Sequence, residues 1–269
     1  MKTIFNEQQI NFMKENYLTM SYKDIADILG FTERQIRGKL NNMGLTKLRK
    51  INDHYFDVID TSLKAYFLGF IFADGWLINN PVNRNYELGM ELQSEDRYIL
   101  EKLNEELGGQ NIIYHSQPTK RIINGQLAHI RCMDCLRIYS KNIVQGLINH
   151  GVVPNKTQKD IYPVVDNEFF FDFLRGYIDG DGCFYTHNSY TNMHITCSSK
   201  VVLDYLKNRL SCYDICTHVY QEKDKKFRLV CCNDNSMKKL VNHLYYSDDL
   251  FCLQRKYIKI KTLINGFAV

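Results

Sequence analysis

The sequence predicts an α+β protein in which a small all-α module precedes two fused, similar halves that pair as an internal pseudo-dimer. Two observations carry this. Residues 5 to 45 hold three short helical patterns, each with its own stop or start signal. Beyond them one order of elements (helix, strands, helix, strands, helix) occurs twice, with a period of roughly a hundred residues. That period is too long for a solenoid repeat and suits two halves about a pseudo-two-fold axis. The expected boundaries are 1–48 for the module, 49–62 for a basic linker and extended approach, 63–165 for the first half and 166–269 for the second.

In the module the first pattern runs through Gln9, Ile10, Phe12 and Met13. The second, SYKDIADILG, has Ser21 as N-cap, Ile25, Ala26, Ile28 and Leu29 as its apolar side, and Gly30 closing it. Thr32 caps a third, TERQIRGKLNNMG, ended by Gly44. Small Ala26, the Gly-containing turn, and inward Ile36 and Leu40 suit two helices crossing steeply, an arrangement that resembles the helix-turn-helix family. The resemblance implies DNA contact through the third helix. Arg34 and Gln35 would face base edges, and Arg37 and Lys39 would meet phosphate. The bland alternative is a three-helix packing module with a solvated charged face. Charge favours the first reading, because residues 1–50 hold nine Lys/Arg against five Asp/Glu while the remainder balances at 25 of each.

The strongest signal comes as a pair. YFLGFIFADGW (66–76) and FLRGYIDGDGCF (173–184) align so that Gly69 matches Gly176, Ala73 matches Gly180, Asp74 matches Asp181 and Gly75 matches Gly182. One Asp-Gly is usually a turn; two in the same register behind apolar helices are not. The surroundings repeat as well: YELGMELQSEDRYILEKLNEEL is echoed by NMHITCSSKVVLDYLKNRL, and RIYSKNIVQGLINHG by RLVCCNDNSMKKLVNHLYY. Gly69 with Ala73, and Gly176 with Gly180, are i, i+4 pairs on one helix face, which lets two backbones approach closely. Each helix then stops at a Gly with an Asp at its negative dipole end, a placement unfavourable by ~0.3–1 kcal/mol. Two carboxylates meeting there would also repel. A divalent cation reverses both penalties, and hard oxygen ligands with backbone carbonyls alongside suit magnesium rather than zinc.

These two stretches, FLGFIFADG and LRGYIDGDG, resemble the signatures of the LAGLIDADG homing endonucleases, and the duplicated pattern covers roughly residues 63 to 265. The resemblance implies two αββαββα halves with saddle-shaped antiparallel sheets in the DNA major groove and the signature helices at their interface. It implies a magnesium-dependent, site-specific double-strand endonuclease acting as a monomer on double-stranded DNA, with two or three Mg2+ ions. The metal ligands would be Asp74 and Asp181, helped by the carbonyls of Ala73 and Gly180, and each half would cut one strand to leave short 3′ overhangs. Phe72 departs from the pattern where the family often has its first acid, which Asp179 keeps in the second copy; Arg175 replaces a usual small residue and is expected to point away from the interface. Family members place a basic residue near each active site, a part that falls here to Lys156 and Lys256; a cation beside the phosphate meets developing negative charge. Gln93 and Ser198 occupy matching places after the first strands. Outward polar residues of the strands, among them Arg121, Gln126, Arg131, Asn188 and Asn192, would read bases, or else form ordinary wet sheet faces.

Other classes fare worse. No apolar run approaches the ~20 residues of a membrane helix, and MKTIFNEQQINFMKENY lacks the features of a signal peptide, so an intracellular, cytoplasmic protein is expected. Nine scattered cysteines read as reduced thiols. Cys132/Cys135 and Cys212/Cys216 could suggest a four-thiolate zinc site, but one pair lies in a strand and the other near a helix end. The rivals on the same fold are a non-cleaving DNA-binding regulator, which would have no use for paired acids beside phosphate, and an RNA maturase. Richness in Asn, Lys, Ile and Tyr points to an AT-rich genome, a phage or its bacterial host.

Overall fold

The computed structural model describes residues 5–45, 51–109, 111–123, 126–156, 159–187, 190–222 and 226–265; side chains are outside that description at 120–130, 187, 190 and 262–265. The chain divides into two compact units, Met1–Lys50 and Ile51–Val269. In the smaller unit three helices, α1 (Glu7–Asn16), α2 (Tyr22–Leu29) and α3 (Glu33–Asn42), enclose Met13, Ile25, Ala26, Ile36 and Leu40. Their starts are set by side chains that satisfy otherwise orphaned amides: Asn6 accepts from Gln9 N, Ser21 from Asp24 N and Thr32 from Gln35 N. Gly30 ends α2 at φ +72°, a left-handed conformation with little cost only for glycine.

The larger unit begins earlier than the sequence suggested. Residues 51–62, expected to be an approach segment, are part of its core: Phe56 is fully buried, and the Asn52 amide donates to the Leu107 carbonyl at 3.2 Å. Two aromatic residues in a dozen are enough to pull this stretch inside.

Each half then runs as a helix, two strands, a helix, two strands and a helix, with a two-stranded hairpin added in the first. The first half comprises α4 (Ser62–Asp74), β1 (Trp76–Asn80), β2 (Asn85–Gln93), α5 (Arg97–Glu106), β3 (Ile113–Ser116), β4 (Thr119–Ile123), β5 (Gln126–Ile130), β6 (Met133–Ile138) and α6 (Lys141–Asn149). The second comprises α7 (Phe170–Asp181), β7 (Gly182–His187), β8 (Tyr190–Cys197), α8 (Lys200–Ser211), β9 (His218–Gln221), β10 (Phe227–Cys231) and α9 (Asp234–Leu244), followed by α10 (Gln254–Asn265). The sheets have matching antiparallel orders, β1-β2-β6-β3 and β7-β8-β10-β9, and β4-β5 is a separate hairpin inserted in the first half. Alternation decides which face is buried. Leu88, Met90, Leu92, Leu136 and Ile138 point into the core from the first sheet, as do Met193, Ile195 and Leu229 from the second. The opposite faces carry Glu91 and Arg137 on one sheet and Thr196 and Arg228 on the other. A fold of two antiparallel sheets with helices gathered on one side is the α+β architecture the repeat predicts.

Candidate active site

The site is built by α4 and α7, which cross so tightly that no side chain fits between the backbones at Gly69 and Gly176. A Cβ added at Gly69 would lie 1.9 Å from the Phe173 carbonyl oxygen, and one at Gly176 would lie 2.0 Å from that of Tyr66. Farther along, a Cβ at Gly180 would lie 2.4 Å from the Ala73 Cβ. The small residues matched by the sequence repeat are therefore the ones in contact. Elsewhere both helices are buried nearly all round, including Phe67, Phe70 and Ile71 on α4 and Phe170, Phe173 and Ile178 on α7.

Both helices end on their aspartate, Asp74 in α4 and Asp181 in α7. The following glycines are required by space, not by φ: Gly75 and Gly182 are extended at −77° and −85°. An added Cβ at either would meet the carbonyl of the residue four back, Ile71 at 2.8 Å or Ile178 at 2.7 Å. The crossing brings Asp74 against the end of its partner helix, its Oδ2 3.2 Å from where a Gly180 Cβ would stand. Both carboxylates still open onto solvent. The protein walls around them nonetheless raise their proton affinity. Desolvation, then the charge of Asp74, pushes Asp181 up to about 6; desolvation also raises Asp74, against the pull of Lys256 and Lys156. Two anions held together with too little compensation form a site with a use for positive charge. That carboxylate pair, not a larger ligand cage, is what fits a hard divalent ion. Among the described residues no group of three or more His, Cys, Asp or Glu is arranged to hold a metal, and all nine cysteines are free thiols.

The lysines named from the sequence meet the helix ends. Lys156 Nζ donates to the carbonyls of Ile71 (2.9 Å) and Gly75 (2.7 Å) at the end of α4. Lys256 Nζ lies within 2.6–3.1 Å of the carbonyls of Ile178, Asp179, Gly180 and Gly182 at the end of α7. An ammonium there adds a donor to the helix-end carbonyls, of which Ile71 and Ile178 already accept from the Gly75 and Gly182 amides, and opposes the negative dipole end. Desolvation pushes Lys156 down to about 8 despite Asp181 and Asp74, and it lowers Lys256 too despite Asp179. Next to Asp181 and Lys156 opens a cavity of about 410 Å³ that also includes Thr196, Cys197 and Ser198.

The two ends are not equivalent. Phe72 is buried among Phe173 and Tyr177, with ring centroids at 5.9 and 5.6 Å, under the Lys156 ammonium. Its counterpart Asp179 is also buried, but its Oδ2 accepts from the Tyr66 hydroxyl (3.0 Å) and the Leu253 amide (2.7 Å). Arg175 does not turn away from the interface. It is fully buried, pairs with Asp172 at 2.8 Å, and reaches Ser62 on α4 at 3.3 Å and the carbonyls of Leu244 and Phe251. The roles of Asp179 and Arg175 were not anticipated, since apart from Asp172 beside Arg175 their partners lie 69 to 113 residues away and leave no local spacing.

The other named residues are scattered. Arg131 is exposed and donates to Gln93 at 2.9 Å. Asn192 lies on the open-face register of β8 opposite Tyr185 but is only 6% exposed. Arg121 and Gln126 sit on β4 and β5, where side chains are outside the described residues, and Asn188 lies outside them altogether. In α3, Arg34 is exposed, Gln35 spends its side-chain oxygen on the Thr32 amide at 2.8 Å, Arg37 pairs with Glu33 at 2.5 Å, and Lys39 lies over the Phe5 ring at 5.9 Å.

Comparison with known proteins follows the same lines. No curated protein matches the sequence. Among solved structures, the homing endonuclease I-WcaI bound to its DNA recognition sequence has a TM-score of 0.55 at 13% identity, covering 82% of this chain and 96% of its own. I-DmoI in complex with DNA and Ca has a TM-score of 0.47 at 16% identity, covering 70% and 91%. Full-length DUF199/WhiA from Thermatoga maritima also has 0.47 at 16%, covering 81% and 65%. Residues 168–245, which hold α7 and the second sheet, match the family model of the LAGLIDADG-like domain. Residues 168–245 thus match a LAGLIDADG-like domain, and the fold of the chain is similar to that of the homing endonuclease I-WcaI.

Proposed function

We propose that the protein is a site-specific endonuclease that cuts both strands of DNA, using divalent ions held between Asp74 and Asp181. The observation that carries this is the convergence of the two carboxylates at one helix crossing, each beside a lysine-capped helix end. A protein that only binds DNA gains nothing from setting paired anions where phosphates must come. The shared fold with I-WcaI, solved bound to its DNA recognition sequence, supports DNA as the partner.

Magnesium would be held by the two carboxylates with the carbonyls of Ala73 and Gly180 alongside, and when bound it supplies a Lewis acid and an activated water. The protein groups do the rest. Asp74 and Asp181 must be ionised to bind the ions. Lys156 and Lys256 keep positive charge where negative charge develops on the cleaved phosphate. The open sheet faces, with Arg137 and Arg228 among their charges, would lie along the duplex. Water, activated by the bound ion, would be the nucleophile, with no covalent intermediate on the protein. The N-terminal unit, with α3 as a recognition helix exposing Arg34, would add affinity as a helix-turn-helix.

The test is selection of cleaved sites from a randomised duplex library in Mg2+. Recovery of one enriched sequence broken on both strands supports the proposal; binding enrichment without cleavage, or preference for RNA, points to the regulator or maturase. Removing residues 1–50 should weaken affinity more than it slows the cleavage step at saturating protein.

A further inference from the structure

The two lysines are not placed by their own halves alone. Lys256 opens the first turn of α10, its amide bonded to the Leu253 carbonyl at 2.9 Å. That turn is gripped from the first half. The Tyr98 hydroxyl on α5 donates to the Cys252 carbonyl at 3.2 Å and accepts the Gln254 amide at 2.7 Å. Beside it Arg255 takes Asp96 through both carboxylate oxygens at 3.0–3.2 Å. Phe251 packs its ring on Tyr66, Phe67 and Tyr98, all in the first half, at 5.3–6.1 Å. Asp179 and Arg175 hold the same turn from below through the Leu253 amide and the Phe251 carbonyl.

Lys156 is followed in sequence by a looser set of contacts with the second half. Its segment continues to Asp160, which accepts from Ser199 at the start of α8 in the second half at 3.1 Å. Tyr162 then stacks on Tyr205 of the same helix, with centroids 5.2 Å apart and planes 14° apart. Arg209 farther along α8 donates to the Val165 carbonyl at 3.3 Å.

We infer that each active-site lysine is positioned by the opposite half, with Tyr98 of the first half setting Lys256 and Asp160–Ser199 setting Lys156. Tyr98 is a positioning residue. Its hydroxyl bridges two backbone groups only two residues apart, so it fixes the angle at which α10 starts and with it the reach of the Lys256 side chain. A four-atom ammonium arm tolerates little error when it must meet several carbonyls at once, and misplacement by about 1 Å in a catalytic group can cost on the order of a hundredfold. Losing this half-exposed hydrogen-bonding bridge should cost about tenfold.

The inference rests on the nuclease reading, and the experiment separates the two. Tyr98→Phe removes the bridge and keeps the ring against Phe251. Competitive acetylation of intact protein, read by mass spectrometry, should show Lys256 several-fold more reactive in this variant and Lys156 unchanged; Asp160→Ala should give the reverse. This readout needs no DNA, so it decides the placement even if the wild type fails to cut, an outcome that would sink only the nuclease reading. With a cleavable duplex labelled on both strands, Lys256→Met identifies the strand that depends on Lys256. Tyr98→Phe should slow that strand about tenfold, leave the other strand unchanged so that nicked duplex accumulates, and add nothing on top of Lys256→Met. Equal slowing of both strands, or unchanged Lys256 labelling, would overturn it.

Discussion

Gly69→Ala isolates the helix crossing in a single methyl group. The new carbon would stand 1.9 Å from the Phe173 carbonyl oxygen, about 1.5 Å short of ordinary contact at 3.4 Å, and its neighbours there are backbone atoms that cannot rotate away. Alanine is otherwise favoured over glycine inside a helix by about 1 kcal/mol. Overpacking a core by one methylene costs about 1–3 kcal/mol, and a backbone-to-backbone collision belongs at or above the top of that range. The net expected loss is about 2–3 kcal/mol, or roughly 4–12 °C in Tm for a unit of this size. Trp76, the chain's single tryptophan, sits on β1 of the larger unit, so its fluorescence follows that unit's unfolding without interference from the N-terminal helices. Gly38 on α3 is the internal control: a Cβ there meets nothing within 4 Å, and Gly38→Ala should leave the Trp76 transition where it is. A Gly69→Ala protein that melts with the wild type would refute the close crossing, and with it the reason Asp74 and Asp181 meet.

Further outcomes follow from the site's charges. Asp181 is raised to about 6, so without metal the folded state binds protons that the unfolded chain has already lost, and this site's contribution to stability falls as pH rises from about 4 to 6. Mg2+ should therefore raise Tm little at pH 5 and clearly at pH 7.5, a difference that Asp181→Asn abolishes; equal stabilisation at both pH values would contradict the assignment. Lys156, pushed down to about 8, loses its charge above that pH. Cleavage should accordingly climb through pH 6 and decline above pH 8, and a rate that keeps rising to pH 10 would deny Lys156 its cationic role. Arg175→Leu leaves the buried Asp172 carboxylate without its cation, held only by the Ser62 and Tyr246 hydroxyls, and should cost about 3 kcal/mol in urea unfolding, whereas the double change with Asp172→Leu should recover most of it. A double variant no better than the single one would mean that the arginine acts through Ser62, Leu244 and Phe251.

How much of this could be read in advance depends on distance along the chain. The helix crossing was legible because its requirement, small residues four apart, is local and occurs twice: Gly69 with Ala73, Gly176 with Gly180. The sheets were legible from alternation around Leu88-Gly89-Met90 and His194-Ile195. The lysines had no such signature. Lys156 and Lys256 follow turns in segments that resemble any basic loop, and only the family resemblance singled them out. The grip on those segments was invisible, since Tyr98 meets Cys252 across 154 residues and nothing in EDRYIL marks that tyrosine. Gln35 illustrates a different limit: its position on α3 suggested base contact, but the same side chain completes the helix cap. Residues 51–62 were misplaced because their charge and turn residues outweighed Tyr55 and Phe56, which the folded core takes in.

The paired aspartates can be tested by strand-resolved cleavage of a selected duplex in Mg2+ by wild type, Asp74→Asn and Asp181→Asn, with DNA affinity measured in parallel. Wild type should break both strands, and each single variant should lose at least two orders of magnitude in rate while binding the duplex as tightly. Cutting by both variants at the wild-type rate would mean that the ions, if any, lie elsewhere.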